Sequence, residues 1–218
     1  MPNARYLQNK INDFGFEVEG FPYQQLEQAI ANDQAEFQLE YPILLSGLCT
    51  AGVTVFFRRT ENGQSYSVDR YRVKFRQGGS RDIERIQMFY TCKGMDISLK
   101  EACNLLQGRA INKDMTDDVG MSFNAWVQLN FEEKDQRDNY RFMQYGSEYG
   151  FNLEKAIMKY PIRELQTEQG KADLIHSLKK GNQPLVVFEI RQKEKNMLIA
   201  ACPKYKTITI LPVHLRKV

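Results

Sequence analysis

Apolar positions recur first with a helical period and then with a period of two. Residues 3–13 and 22–32 are predicted to be helices, with Leu7, Ile11 and Phe14 on one face of the first and Tyr23, Leu26 and Ile30 on one face of the second. Pro22 suits a first helical position and Asn32-Asp33 a stop. After a short strand at about 35–40 comes the clearest hairpin signal, Val53–Thr60 and Ser65–Arg76, joined across Asn62-Gly63, a dipeptide that accepts the positive φ of a type I′ turn. Pairing about that turn sets Phe57 opposite Val68, but an unbroken ladder would then set Val55 opposite Arg70 and Val53 opposite Arg72 on the buried face. One extra residue near Asp69-Arg70 restores Val55 with Tyr71 and Val53 with Val73. A β-bulge is expected there, because turning a row of cations into the core costs far more than one distorted ladder position.

Gln77-Gly78-Gly79-Ser80 has linker composition and divides the chain into expected subdomains 1–78 and 81–218. Beyond it, Ile86–Tyr90 reads as a strand, and residues 98–107 as a helix opened by a Ser98/Glu101 capping box, with Leu99, Ala102, Cys103 and Leu106 as its stripe and Gly108 at its end. Met121–Phe131 alternates strictly and should pair with Tyr140–Tyr145 across the polar loop 132–139. Asn152 caps a helix bearing Leu153, Ala156, Ile157 and Tyr160, stopped by Pro161, and a further helix spans about 168–180. The tail reads as a meander of strands 185–191, 197–202 and 206–211, with a polar turn at 193–196 and Met197–Cys202 in the middle. The fold class expected is α+β, antiparallel hairpins and a C-terminal three-stranded meander packed with short helices.

Composition narrows the function classes. With 42% hydrophobic and 26% charged residues in 218, the chain is globular and neither disordered nor collagenous. A net charge of +3 is too close to balance to indicate nucleic-acid binding by the whole protein. Its distribution is uneven: residues 1–52 carry 2 basic and 7 acidic groups, residues 53–80 carry 6 and 2, and residues 179–218 carry 9 and 2. The cysteines at 49, 92, 103 and 202 fit neither a disulfide scaffold nor a metal-binding spacing. With an amino terminus that lacks an apolar signal stretch, they imply a cytoplasmic protein. Tyr41–Phe57 is free of charge for 17 residues, yet Pro42, Gly47 and Gly52 interrupt it and it is too short for a membrane span of ~20 residues, so no membrane partner is expected.

No phosphate-loop, dinucleotide, nucleophile-elbow or zinc-protease motif occurs, and only two histidines exist, His176 off its helix's apolar face and His214 near the carboxyl end. Asp114, Asp117 and Asp118 read as turn formers rather than a cation loop. No enzyme activity, cofactor or metal site is expected. Two features favour binding. Arg70, Arg72, Lys74 and Arg76 occupy alternate strand positions and project together about 7 Å apart, close to the phosphate repeat of an extended single strand. The competing reading is a solvated face whose charges guard against aggregation. Trp126, the only Trp, lies on the polar face of its strand, where it would stack on a base if exposed; the cost of wet indole favours a covering helix instead.

The run 97–117 (ISLKEACNLLQGRAINKDMTD), then FNAWVQLNF from Phe123, YGFNLEKAI from Tyr149, HSLKKGN from His176 and KYKTITI from Lys204 resembles a functionally uncharacterised bacterial domain family of conjugative and other mobile elements. The preceding VTVFFRRTENGQ from Val53 is similar as well, so the likeness covers roughly 53–211. The family brings no catalytic residues to carry over, and the resemblance implies a DNA-mobility setting by association. The expected function is a binding module using Arg70, Arg72, Lys74, Arg76 and Trp126, with nucleic acid or another protein of the same element as partner. A protein-interaction domain that binds no nucleic acid, betrayed by an apolar patch and dimers in solution, is the alternative.

Overall fold

The computed structural model describes residues 2–16, 21–45, 49–61, 63, 65–78, 82–91, 94–117, 119–191 and 193–213. Among them are ten strands in three antiparallel sheets and five α-helices, an α+β fold as expected. None of the helices is long and apolar enough to cross a membrane. The chain divides into two compact units, Met1–Leu106 with Lys134–Tyr140, and Gln107–Glu133 with Arg141–Val218.

The first unit holds α1 (Pro2–Asp13), α2 (Tyr23–Ala31), β1 (Glu36–Leu44), β2 (Cys49–Arg59), β3 (Tyr66–Gln77), β4 (Ile83–Tyr90) and α3 (Leu99–Leu106). Its sheet runs β1-β2-β3-β4. The boundary expected at 78–81 therefore falls inside this unit: β4 pairs with β3 from Gln77↔Ile83 to Arg70↔Tyr90, and α3 packs on both strands. Linker composition does not distinguish a connection between paired strands from a boundary between domains. The Asn62-Gly63 turn lies partly outside the described residues, although Gly63 has the positive φ of +68° expected of it.

The bulge forms where the pattern requires it. Phe57 pairs with Val68 and Phe56 with Arg70, which leaves Asp69 unpaired, and the ladder then runs through Val55↔Tyr71 and Val53↔Val73. The Asp69 carbonyl instead accepts the Thr91 N–H at 3.0 Å. Tyr71, Val73 and Phe75 are consequently at most 1% exposed, in a core shared with Leu7, Ile11, Phe14 and Phe16. Tyr71 meets Phe16 edge-on at 4.9 Å between ring centres, stacks on Phe89 at 5.2 Å and donates its hydroxyl to the Ile97 carbonyl at 2.5 Å. The capping box forms: Ser98 N–H donates to Glu101 at 2.9 Å, and Glu101 N–H to Ser98 Oγ at 3.4 Å. The 134–140 segment meets β4 at its middle, where Tyr140 N–H donates to Gln87 Oε1 at 2.8 Å and Met88 N–H to Asn139 Oδ1 at 2.9 Å.

The second unit contains β5 (Ile111–Thr116), most of β6 (Ser122–Lys134) and of β7 (Tyr140–Tyr145), α4 (Leu153–Ile157), α5 (Glu168–Lys179), β8 (Leu185–Ile190), β9 (Lys193–Cys202) and β10 (Thr207–Pro212). β6 is central to the order β5-β6-β7, and β9 to β10-β9-β8. Two expectations are corrected. The stretch after Ile111 is a strand rather than a turn, because Asn112 and Asp114 pair along Trp126 and Asn124 of β6 with amide hydrogen bonds in place of apolar contacts. Residues 193–196 belong to β9 and not to a turn, with Ile190↔Lys193 and Val187↔Asn196, and Arg191 taking the left-handed φ of +48°. Polar residues on exposed strand ends resemble turns in sequence, and only cross-strand pairing separates the two. Asn152 accepts the Lys155 N–H at 2.9 Å as the cap of α4, and Thr167 caps α5 by accepting from Gly170 N at 3.1 Å. The core gathers Trp126, Leu153, Ile157, Leu174, Leu178, Phe188 and Ile199.

Candidate interaction surface

One face of the β1–β4 sheet is buried and the other is open, since burial alternates along β3. The bulge at Asp69 keeps Arg70, Arg72, Lys74 and Arg76 on the open face while leaving Val68 inside. Pairing on both sides of β3 sets four rows across this face: Gln38-Phe56-Arg70-Tyr90, Glu40-Thr54-Arg72-Met88, Pro42-Gly52-Lys74-Ile86 and Leu44-Thr50-Arg76-Glu84.

The cation row is therefore not bare. Arg70 pairs with Asp69 at 2.9 Å, Arg72 with Glu40 at 3.5 Å, Lys74 with Glu84 at 3.3 Å and Arg76 with the same Glu84 at 2.6 Å. Arg58 continues the pattern with Glu36 at 2.9 Å and Asp69 at 3.8 Å. Five cations thus meet four carboxylates on one face. The hydrogen bond from Arg76 is the main cause that holds the Glu84 carboxyl below its usual range; desolvation opposes it, and the Lys74 hydrogen bond and the charges of both cations add to the lowering. Thr54, only 5% exposed, donates to Glu40 and accepts from Arg72, each at 3.2 Å, which fixes the middle of the mosaic.

Apolar groups lie between the charges. The Arg70 guanidinium stacks over the half-buried Phe56 ring at 4.8 Å, and a hollow of about 300 Å³ opens between Phe56, Arg58, Asp69 and Arg70. Met88 and Tyr90 are half-buried, Ile86 is 41% exposed, and Arg137 donates to the Tyr90 hydroxyl at 3.0 Å. Glu36, Glu40, Glu84, Phe56 and Met88 were not among the expected site residues. Their alternation along β1, β2 and β4 is visible in the sequence, but what they oppose is decided by strand order.

Trp126 does not join this surface. It lies in the second unit, 6% exposed, with its indole edge-on to Phe151 at 5.2 Å. Covering by the same chain is what the structure has, and an open base-stacking platform is corrected accordingly. His176 is exposed on α5. Asp117 accepts the Val119 and Met121 N–H groups at 3.1 and 2.7 Å, a turn-closing role, while Asp118, His214 and Cys92 lie outside the described residues. Cys49, Cys103 and Cys202 are free thiols, and no metal-binding cluster of side chains occurs among the described residues.

No protein family, curated protein or solved structure matches the chain.

Proposed function

We propose that this chain is a protein-interaction module, acting by binding rather than catalysis through the open face of the β1–β4 sheet, and that a second copy of the chain docks there. The observation that carries this reading is that each cation of the β3 row has a carboxylate partner on the same face. A phosphate backbone would have to displace these carboxylates one by one, and five cations against four carboxylates leave little excess charge to draw it in. A nearly balanced face with its signs in separate columns suits its own copy, because a two-fold rotation brings β1 carboxylates toward β3 cations. Four strands at about 4.8 Å spacing and eight residues at about 3.3 Å give a face of roughly 500 Å². Side-chain relief raises this toward the ~800 Å² per partner of a stable interface. Partly exposed Phe56, Ile86, Met88 and Tyr90 supply the apolar and aromatic contacts enriched at such interfaces. The cytoplasmic, mobile-element setting implied by the resemblance is proposed with it, on the motif strings alone.

Sedimentation velocity over a concentration series tests the reading. A reversible dimer is expected, weakened by salt and abolished by Met88→Asp with Ile86→Asp, neither of which lies in the core. A monomer at every concentration overturns it. Salt-dependent binding of a labelled single-stranded oligonucleotide by that monomer, lost in Arg72→Glu, would put the nucleic-acid reading in its place.

A further inference from the structure

We propose that the turn joining β9 to β10 in the second unit is a contact site for single-stranded nucleic acid, in which the Tyr205 ring stacks on a base and Lys204 and Lys206 hold the phosphates on either side. The inference is independent of the open sheet face and of its dimer. Residues 179–218 carry 9 basic and 2 acidic groups, and both acids are engaged outside that stretch: Glu194 pairs with Arg163 at 2.9 Å, and Glu189 accepts from the Gln166 amide at 2.8 Å. The β3 row, by contrast, meets its carboxylates on its own face. A cationic stretch left without carboxylates attracts a polyanion, and each phosphate it neutralises releases a condensed counterion.

Charge alone does not single out this turn, because several lysines of the second unit lack an ion pair. Geometry does. Both amines are seated on tyrosine rings: Lys204 Nζ lies 5.7 Å from the centre of the Tyr205 ring, and Lys206 Nζ 4.8 Å from that of Tyr149. Neither has a carboxylate within ion-pairing distance among the described residues. Pro203 is buried and opens a 3-10 turn with Lys204 and Tyr205. Lys206 closes it in the left-handed region at φ +54°, its N–H donating to the Pro203 carbonyl at 2.9 Å. The Tyr149 hydroxyl donates to the Lys204 carbonyl at 2.7 Å, which ties the turn to the segment carrying the second ring. A glycine would take that left-handed position at no steric cost; a lysine there places a second cation beside Tyr205. The Tyr205 residue is 71% exposed, and Lys204 and Lys206 are exposed as well. An aromatic face in water stacks on any base while neighbouring cations take the backbone, the combination that binds single strands without regard to sequence. A duplex keeps its base faces inside its own stack, and an anionic bilayer has none. With Pro203 buried, the turn also projects no aliphatic side chain to enter a bilayer.

Anisotropy of a fluorescein-labelled oligothymidylate of about twelve nucleotides, titrated with the full chain, tests the assignment. Salt-dependent binding in the roughly 1–100 µM range of sequence-independent contacts is expected. Two phosphate contacts contribute about −1.4 to the log–log salt slope, so an about tenfold rise in salt weakens binding by about 25-fold. Tyr205→Ala should weaken it about fivefold or more and leave the slope unchanged. Lys204→Gln combined with Lys206→Asn, asparagine being suited to the left-handed φ, should flatten the slope by about that 1.4. An abasic oligomer of the same length should bind the parent no better than it binds Tyr205→Ala. The substituted residues are all exposed, and circular dichroism checks that each variant is folded. The proposal is overturned if the oligothymidylate does not bind at low salt, if the abasic oligomer binds the parent as tightly, or if either variant binds as the parent does. Binding lost in Arg72→Glu and kept in the lysine variant overturns it in favour of the sheet face. Sedimentation with phosphatidylserine vesicles that needs the two lysines, with the oligomer left unbound, overturns it in favour of a bilayer.

Discussion

Removing the Tyr71 hydroxyl isolates one interaction in the centre of the first unit. The side chain is 1% exposed, its ring packs between Phe16 and Phe89, and its hydroxyl donates to the Ile97 carbonyl at 2.5 Å. Tyr71→Phe preserves the ring and leaves that carbonyl without its donor. A buried acceptor stripped of its partner costs about 1–3 kcal/mol. At a urea m-value of about 2 kcal/mol/M, a loss of 2 kcal/mol moves the midpoint down by about 1 M. The same substitution has a signature at high pH. Burial, with the nearby Cys103 and Glu101 adding to it, pushes the Tyr71 hydroxyl well above its ordinary value, and burial does the same for Tyr41. A phenol whose folded value is raised contributes stability in full below its unfolded value near 10 and loses it as pH rises beyond, at about 1.4 kcal/mol per pH unit. Urea denaturation followed by circular dichroism at neutral pH and again near pH 11 should therefore show the gap between parent and Tyr71→Phe shrinking by about that amount. An unchanged neutral midpoint, or a gap that widens in alkali, refutes the hydrogen bond and the burial argument respectively.

Deletion of Asp69 should be tolerated, because joining Val68 to Arg70 turns the bulge into an unbroken ladder with Phe57↔Val68 and Phe56↔Arg70 intact. Deletion of Val73 should unfold the first unit, because one side of the gap must then turn its cations inward; thermal melts of both compare the two directly. Gly170→Ala should lower stability by about 1–3 kcal/mol, since its Cβ would stand 2.5 Å from the Glu164 backbone carbonyl oxygen and 2.9 Å from the capping Thr167 Oγ1. A melt unchanged from the parent would show that the α5 start relaxes freely.

Local chemistry made much of this protein readable before any coordinates. Apolar period and a capping box placed α3, and the conflict between Arg70 and Val55 located a bulge to the neighbourhood of Asp69-Arg70, because facing is set by a period of two and a buried cation is too costly to accept. That the four cations share one outward face follows from the same alternation. Their electrostatic meaning does not, because Glu40 and Glu84 reach them from strands placed on either side of β3 by topology, 32 and 10 positions from Arg72 and Lys74 in the chain. The covering of Trp126 is hidden for the same reason, since Trp126 and Phe151 are separated by 25 positions. Intrinsic preferences act over a few residues and are written into the chain locally; which charges neutralise one another, and where a hollow is left, are properties of contacts between distant segments and are decided only when the core has brought those segments together.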